Sequence, residues 1–208
     1  MEGSQALLLV DIQNDFCCGG KISVPKGDSI VPACNAYIKL FTAAGLPVFA
    51  SRDWHPEKTS HFQEYGGIWP THCVQNTPGA EFHPNLKLPP DAFIISKGRR
   101  PYEDSYSAFQ GRDDDGGTLN EILKNLGVLE LYVGGLATDF CVKHSVLDGL
   151  HSNYSVHLLT DAIKGINMFF SDDIYRSVEL MERYGAVKTD FEKVRGSVKP
   201  RESIAYQI

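Results

Sequence analysis

The alternation of short, almost continuously apolar runs with helical patterns constrains the fold of this 208-residue chain more than any other feature. Runs of this kind are typical of strands that are buried on both faces of a sheet. The runs lie at residues 6–11, 47–52, 92–96, 130–134 and 155–159, with a weaker one at 203–206. Strands alternating with helices predict a three-layer α/β/α fold with a doubly wound, mainly parallel sheet of about six strands.

The segments between these runs carry helical signals. Segment 32–44 has one apolar face, with Pro32 suited to a first turn and Gly45 to a C-terminal stop. Thr118 and Glu121 have the spacing of a capping box. Two more amphipathic helices are predicted at 139–150 and 171–184. The length suits one core, so we expect a single domain over residues 1–208.

Composition argues against several classes of protein. A formal charge of −6 without a Lys/Arg-rich run gives no electrostatic footprint for nucleic acid. No segment is apolar enough to span a bilayer or to act as a secretory signal. The five cysteines form no C-x-x-C pair, which disfavours a disulfide framework and a four-thiolate zinc site. We therefore expect a cytoplasmic protein that binds a small molecule rather than a membrane.

Polar residues of useful chemistry follow four of the predicted strands. In open parallel sheets, ligands bind beyond the carboxyl ends of the strands, near the point where the strand order reverses. With the doubly wound order 3-2-1-4-5, the first and fourth strands are neighbours, so Asp11 and Cys141 would face one another. The residues that follow the strands are Asp11, Asp53 with His55, Lys97, and Cys141.

Cys141 is the candidate nucleophile. The glycine-rich turn before it leads into a helix with Thr138 as a plausible N-cap, where the dipole and free N–H groups would lower the thiol pKa and hold an oxyanion. The alternative is a small buried core cysteine. His144, one helical turn later, suggests a Cys–His dyad but is better placed to cover the helix surface. We favour Asp11 as the proton-transfer group with Lys97 as its ion-pair partner, although a purely structural pair is the alternative.

A second group of residues is typical of a metal site. One carboxylate and three imidazoles suit a borderline divalent ion, zinc first, with iron and manganese as alternatives. Ser60 and Glu64 are lesser candidates for the third ligand, and Cys73 is set aside because adjacent residues rarely converge on one ion. The predicted ligands are Asp53, His55, His61 and His72.

Seven short segments together form a distinctive ordered set. They are DIQNDF at 11–16, RDWH at 52–55, WPTHC at 69–73, TPGAEFHP at 77–84, KG at 97–98, YSAF at 106–109 and GLATDFCV at 135–142. In this order and spacing the chain resembles the nicotinamidase/pyrazinamidase branch of the isochorismatase-like hydrolases. The similarity runs from residue 6 to about residue 161 and is loose beyond that.

The resemblance implies specific roles. It implies a catalytic triad of Asp11, Lys97 and Cys141. It implies an oxyanion hole from the Ala137 and Cys141 amides after a cis peptide bond between Leu136 and Ala137. The same metal ligands follow from it, and the residues that it assigns to an aromatic substrate pocket are Phe16, Trp69 and Tyr106.

The implied activity is hydrolysis of nicotinamide to nicotinate and ammonia through a cysteine thioester, as in NAD salvage, with pyrazinamide as a further substrate. A divalent metal would orient the pyridine ring. The C-terminal part would contribute to the fold and is a candidate homo-oligomer interface. Alternatives are a sister amidase for N-carbamoyl or ureido compounds, which needs no metal cluster, and a non-catalytic metal- or ligand-binding module. An isochorismate-cleaving enzyme is disfavoured because it needs no cysteine nucleophile.

Overall fold

A computed structural model describes residues 4–198. Six strands form one sheet in the order β3-β2-β1-β4-β5-β6, and every neighbouring pair is parallel. The predicted order is therefore confirmed and extended by one strand. The strands are β1 (Ser4–Val10), β2 (Val48–Asp53), β3 (Phe93–Lys97), β4 (Val128–Leu136), β5 (Ser155–Lys164) and β6 (Val187–Thr189).

Helices cover both faces of the sheet, which confirms the three-layer prediction. Because side chains of β1 alternate between faces, Leu7 and Leu9 enter one core and Ala6, Leu8 and Val10 the other. The first core is closed by α1 (Val31–Ala43) and α5 (Phe191–Ser197). The second is closed by α2 (Leu119–Asn125), α3 (Lys143–His151) and α4 (Asp173–Arg183). Within residues 4–198, no helix combines the length and the apolar character that crossing a membrane requires.

The sixth strand differs from the prediction. The weak run at 203–206 lies outside the described residues. The strand that completes the sheet is β6, which has only three residues, two of them exposed. So short and so polar a segment carries too little periodicity to be recognised, and its pairing with β5 depends on the finished fold.

Candidate active site

The carboxyl ends of the four central strands bring the predicted residues together. Asp11 directly follows β1, Asp53 ends β2 and Lys97 ends β3. Cys141 lies just beyond β4, in the turn that leads to α3. Since β1 and β4 are neighbours whose crossover connections leave in opposite directions, their ends open a crevice between them.

Lys97 lies at the centre of a buried ionic cluster. Its ammonium nitrogen is 2.9 Å from Asp11 Oδ2, contacts Asp53 Oδ1, and is 3.5 Å from Cys141 Sγ. An oxygen of each carboxylate and the sulfur of Cys141 lie within 4.8 Å of one another. All four residues are at most 8% exposed. The three residues of the predicted triad are therefore brought into contact, with Asp53 as a fourth member.

The two carboxylates differ in how easily they take up a proton. Burial raises the pKa of Asp53, but the Lys97 ammonium and the neighbouring imidazoles of His55 and His72 outweigh it and hold the pKa well below its usual value. Burial also raises the pKa of Asp11, and there Lys97 offsets the effect only in part. Asp53 thus carries the negative charge that balances Lys97, and Asp11 is the carboxylate that takes up a proton more readily.

The thiol of Cys141 is protonated in this environment. Burial raises its pKa well above the usual value, although Lys97 acts in the opposite direction. Burial therefore outweighs the lowering of this pKa that was predicted from a helix N-terminus. The chain after β4 forms a π-helical turn, Thr138–Val142, before α3 begins. Within the described part of the chain, the Thr138 hydroxyl has no hydrogen-bond partner, so it is not the predicted N-cap.

Two polar residues that were not predicted from the sequence hold Asp11 and Asp53 in place. The Ser51 hydroxyl donates a 2.7 Å hydrogen bond to Asp11 Oδ1. The side-chain amide of Gln13 makes two hydrogen bonds with the backbone of Asp53. Its Nε2 donates to the Asp53 carbonyl and its Oε1 accepts from the Asp53 N–H, both at 2.8 Å. Ser51 lies beside Val10 in the β1–β2 register, where the apolar run of β2 gives way to polar residues, so its local sequence pattern does not distinguish it.

Three imidazoles form a cluster on the far side of Asp53. One nitrogen from each of His55, His61 and His72 lies within 4.8 Å of the others, and each residue is at most 6% exposed. Asp53 Oδ2 is 3.8 Å from His55 Nε2 and 3.7 Å from His72 Nε2. All four predicted metal ligands therefore meet in one buried place, beside the catalytic candidates.

The hydrogen bonds of the imidazoles fit a divalent metal. His55 Nδ1 is 3.2 Å from the Gly98 carbonyl, His72 Nδ1 is 2.8 Å from the Pro70 carbonyl, and His61 Nδ1 is 2.6 Å from Asp104 Oδ1. These acceptors favour the tautomer with the proton on Nδ1, which leaves Nε2 as a lone-pair donor. His55 Nε2 is buried and has no hydrogen-bond partner within residues 4–198. A buried ring nitrogen whose lone pair has no hydrogen-bond partner is typical of a metal ligand.

The side chains near His61 separate the candidates for the third ligand. Ser60 and Glu64 are exposed, whereas His61 is buried in the cluster. Burial and the neighbouring His55 lower the pKa of His61 to about 4, so its ring is neutral at neutral pH, the form that binds a metal. Cys73 is buried, but its N–H binds Asp15 Oδ2 at 2.7 Å and its sulfur lies 3.9 Å from the Gly79 carbonyl.

A pocket of about 370 Å³, counting its open mouth, joins the thiol to the imidazoles. Trp69 Nε1 donates to the Tyr106 hydroxyl at 2.9 Å, which fixes two of the aromatic walls. His144 is exposed and stacks on Tyr106 at 5.2 Å, so it lies on the surface as predicted and forms no dyad. All three predicted aromatic residues line the pocket. The lining residues are Phe16, Ile22, Asp53, His61, Trp69, His72, Ser105, Tyr106, Ala137, Phe140, Cys141 and Ile166.

The turn after β4 has the backbone that the resemblance implied. The peptide bond between Leu136 and Ala137 is cis. Ala137 and Cys141 both line the pocket. Ile22, Phe140 and Ile166 also line the pocket. They were not predicted, because nothing in the sequence distinguishes them from ordinary apolar residues of a loop or helix.

Comparisons with known proteins agree with this geometry. A family model described as the isochorismatase domain matches residues 5–192. A nicotinamidase of Escherichia coli is 40% identical over 211 residues, covering 92% of this chain and 99% of the relative. A nicotinamidase/pyrazinamidase of Mycobacterium tuberculosis is 38% identical over 167 residues, covering 78% and 88%. The crystal structure of a pyrazinamidase of Pyrococcus horikoshii in complex with zinc has a TM-score of 0.83 and 46% identity, covering 90% of this chain and 99% of that one. The chain therefore belongs to the isochorismatase family.

Proposed function

We propose that this chain hydrolyses nicotinamide to nicotinate and ammonia, with Cys141 as the nucleophile and Asp11 as the proton carrier. The observation that carries the proposal is a buried thiol, carboxylate and ammonium at one end of an aromatic pocket with three imidazoles at the other. Relatives named as nicotinamidases and pyrazinamidases support the same substrate class. Pyrazinamide is a further substrate on the same grounds.

The pocket suits a flat heteroaromatic amide. Phe16, Trp69 and Tyr106 offer aromatic surface to the ring, and the carboxamide then reaches Cys141. The residues that would hold a divalent ion are Asp53, His55, His61 and His72, a nitrogen and oxygen donor set that suits zinc. An ion bound there would supply a fixed positive charge that could bind a ring nitrogen of the substrate and so orient the ring.

Acylation begins with a proton transfer. Because burial keeps the thiol of Cys141 protonated, a base must remove the proton as attack begins. The Asp11 carboxylate lies within 4.8 Å of the sulfur and has a raised pKa, which suits a group that accepts a proton and later returns it. The sulfur forms a bond to the amide carbon, and the carbonyl oxygen becomes an oxyanion. The Ala137 and Cys141 N–H groups are assigned to that oxyanion.

Collapse of the tetrahedral intermediate breaks the C–N bond. Asp11 gives its proton to the departing nitrogen, which leaves as ammonia, and a thioester remains on Cys141. Asp11, again a carboxylate, then takes a proton from a water molecule that attacks the thioester carbon. The C–S bond breaks, the sulfur recovers a proton from Asp11, and nicotinate is released. Water is the only other reactant consumed.

Lys97 acts as a fixed positive charge and does not transfer a proton. Its contacts with Asp11 and Asp53 keep both carboxylates in place, and its ammonium lies 3.5 Å from the sulfur. A fixed positive charge at that distance stabilises the thiolate as it forms. The carboxylates raise the pKa of Lys97 well above its usual value despite its burial, so it stays charged throughout the cycle.

Product release tests the proposal. Ammonia and nicotinate should appear in equal amounts from nicotinamide with the metal-loaded protein, and chelation should reduce the rate. Cys141→Ala should lower turnover by roughly 10⁴-fold or more, whereas Cys18→Ala, which removes an exposed cysteine, should not. A folded, metal-loaded protein that leaves nicotinamide intact, or a Cys141→Ala variant near the wild-type rate, would contradict the proposal. Ammonia from a ureido compound instead would point to the sister amidases.

A further inference from the structure

Asp104 contacts the imidazole cluster from outside the pocket. Its Oδ1 lies 2.6 Å from His61 Nδ1, the shortest of the hydrogen bonds that orient the three imidazoles. The side chain of Asp104 is 60% exposed, while that of His61 is 5% exposed. An exposed carboxylate therefore reaches inward to a buried ring that comes from a different loop, 43 residues away in sequence.

His61 differs from the other two imidazoles in what holds it. Backbone carbonyls of Gly98 and Pro70 accept from His55 and His72, and no substitution of a side chain at those positions removes the acceptor. His61 depends instead on a side chain. A carboxylate that accepts from Nδ1–H fixes the tautomer, limits rotation of the ring and makes Nε2 a better electron donor. A substitution of Asp104 can therefore change how well His61 binds a metal while leaving His61 itself in place.

We propose that Asp104 is a positioning residue that holds His61 with Nε2 directed into the imidazole cluster, and thereby sets the affinity of this chain for its divalent metal. This inference rests on the proposed function only in assuming that the cluster binds a metal. Asp104 touches neither the pocket nor Cys141, so it acts through His61 and takes no part in proton transfer.

The surrounding chain fits this role. The segment that carries Asp104 begins after Lys97, and the next residue, Ser105, lines the pocket and has its carbonyl 3.5 Å from the Lys97 ammonium. A second contact, from the Ser60 N–H to the Pro101 carbonyl at 2.8 Å, joins the same two loops. That contact involves backbone only, so it persists when the side chain of Asp104 is removed, and His61 then stays near the cluster but loses its fixed orientation.

The test is a zinc titration of the full-length metal-free protein against a chromogenic chelator. Asp104→Ala should weaken zinc binding by roughly 10- to 100-fold. Asp104→Asn, which keeps a carbonyl oxygen as acceptor, should restore much of the affinity. Asp115→Ala, which removes an exposed carboxylate from another turn, is the matched control and should bind zinc like the wild type. The absorption spectrum of the cobalt-loaded Asp104→Ala variant should shift towards that of His61→Ala.

A double variant separates positioning from general destabilisation. If Asp104 acts through His61, Asp104→Ala should cost no further zinc affinity in a His61→Ala background. Unchanged zinc affinity in Asp104→Ala, or an equal loss with and without His61, would overturn the inference. So would a fall in the Tm of the metal-free protein large enough to account for the loss. Zinc binding that depends on Asp104 in a protein inactive on nicotinamide would refute the proposed function but not this inference.

Discussion

Replacing Lys97 by methionine should strongly destabilise the protein. The substitution keeps most of the apolar stem but removes the ammonium that pairs with Asp11 at 2.9 Å and contacts Asp53, both almost fully buried. Removing one partner of a buried ion pair leaves an uncompensated charge and costs about 3–5 kcal/mol. For a domain of this size, each kcal/mol lowers Tm by roughly 2–4 °C, so Tm should fall by about 6–20 °C.

The pH dependence of this loss follows from the direction of the pKa shifts. The pKa of Lys97 is raised in the folded state, so its contribution is present below its unfolded value and is lost as the pH rises through the folded one. The pKa of Asp53 is lowered, so its contribution is present above its unfolded value, about 4, and is lost as the pH falls further. The raised pKa of Asp11 has the opposite effect on stability, because burial makes the charged form of Asp11 the unfavourable one. The difference in stability between wild type and variant should therefore be largest near neutral pH. It should narrow as the pH falls towards about 4, because burial raises the pKa of the carboxylates once Lys97 is absent and they then take up protons.

Thermal and urea unfolding followed by circular dichroism measure the effect, with chelator present so that metal binding does not contribute. Lys124→Met removes an exposed lysine from α2 and is the matched control, expected within about 0.5 kcal/mol of wild type. A Lys97→Met variant that unfolds within about 1 kcal/mol of wild type at neutral pH would refute the argument that this buried pairing is strongly coupled to stability.

Three further substitutions test other parts of the site. Asp11→Asn should lower turnover of nicotinamide by about 10²–10⁴-fold, because the protonated thiol of Cys141 loses its base, and a rate within tenfold of wild type would exclude that role. His55→Ala should lower the content of bound divalent metal, measured by elemental analysis, and raise KM more than it lowers kcat, whereas an unchanged metal content would show that His55 is not a ligand. Gly135→Ala should cost roughly 3 kcal/mol in urea unfolding, since φ is +123° and an added Cβ would collide with a β1 carbonyl. Gly196→Ala, an exposed position in α5 with nothing within 4 Å, is its control and should be neutral or stabilising by up to about 1 kcal/mol.

The parts of the fold that were predicted depend on local pattern. The apolar runs of β1 to β4 are largely buried on both faces, so their composition alone identifies them. The capping box at Thr118 and Glu121 forms as predicted, because both partners lie within one helical turn. Residues at strand ends could be grouped from the sequence alone, since the topology of a parallel sheet places those ends together.

The parts that were missed depend on contacts between distant segments. Ser51 and Asp104 matter through partners about 40 residues away, and nothing in their local sequence identifies those partners. The pKa of Cys141 was predicted in the wrong direction because the helix dipole can be inferred from sequence, whereas the degree of burial cannot. The π-helical turn at Thr138–Val142 likewise shares its apolar spacing with an ordinary α-helix.

The most direct test of the account is to trap the thioester. Protein turning over nicotinamide is quenched in acid within milliseconds, digested and examined by mass spectrometry. We expect one nicotinoyl group on the peptide that contains Cys141 in the wild type, and neither the adduct nor nicotinate release in Cys141→Ala. A nicotinoyl group on any other residue, or undiminished turnover by Cys141→Ala, would contradict the assignment of Cys141 as the nucleophile.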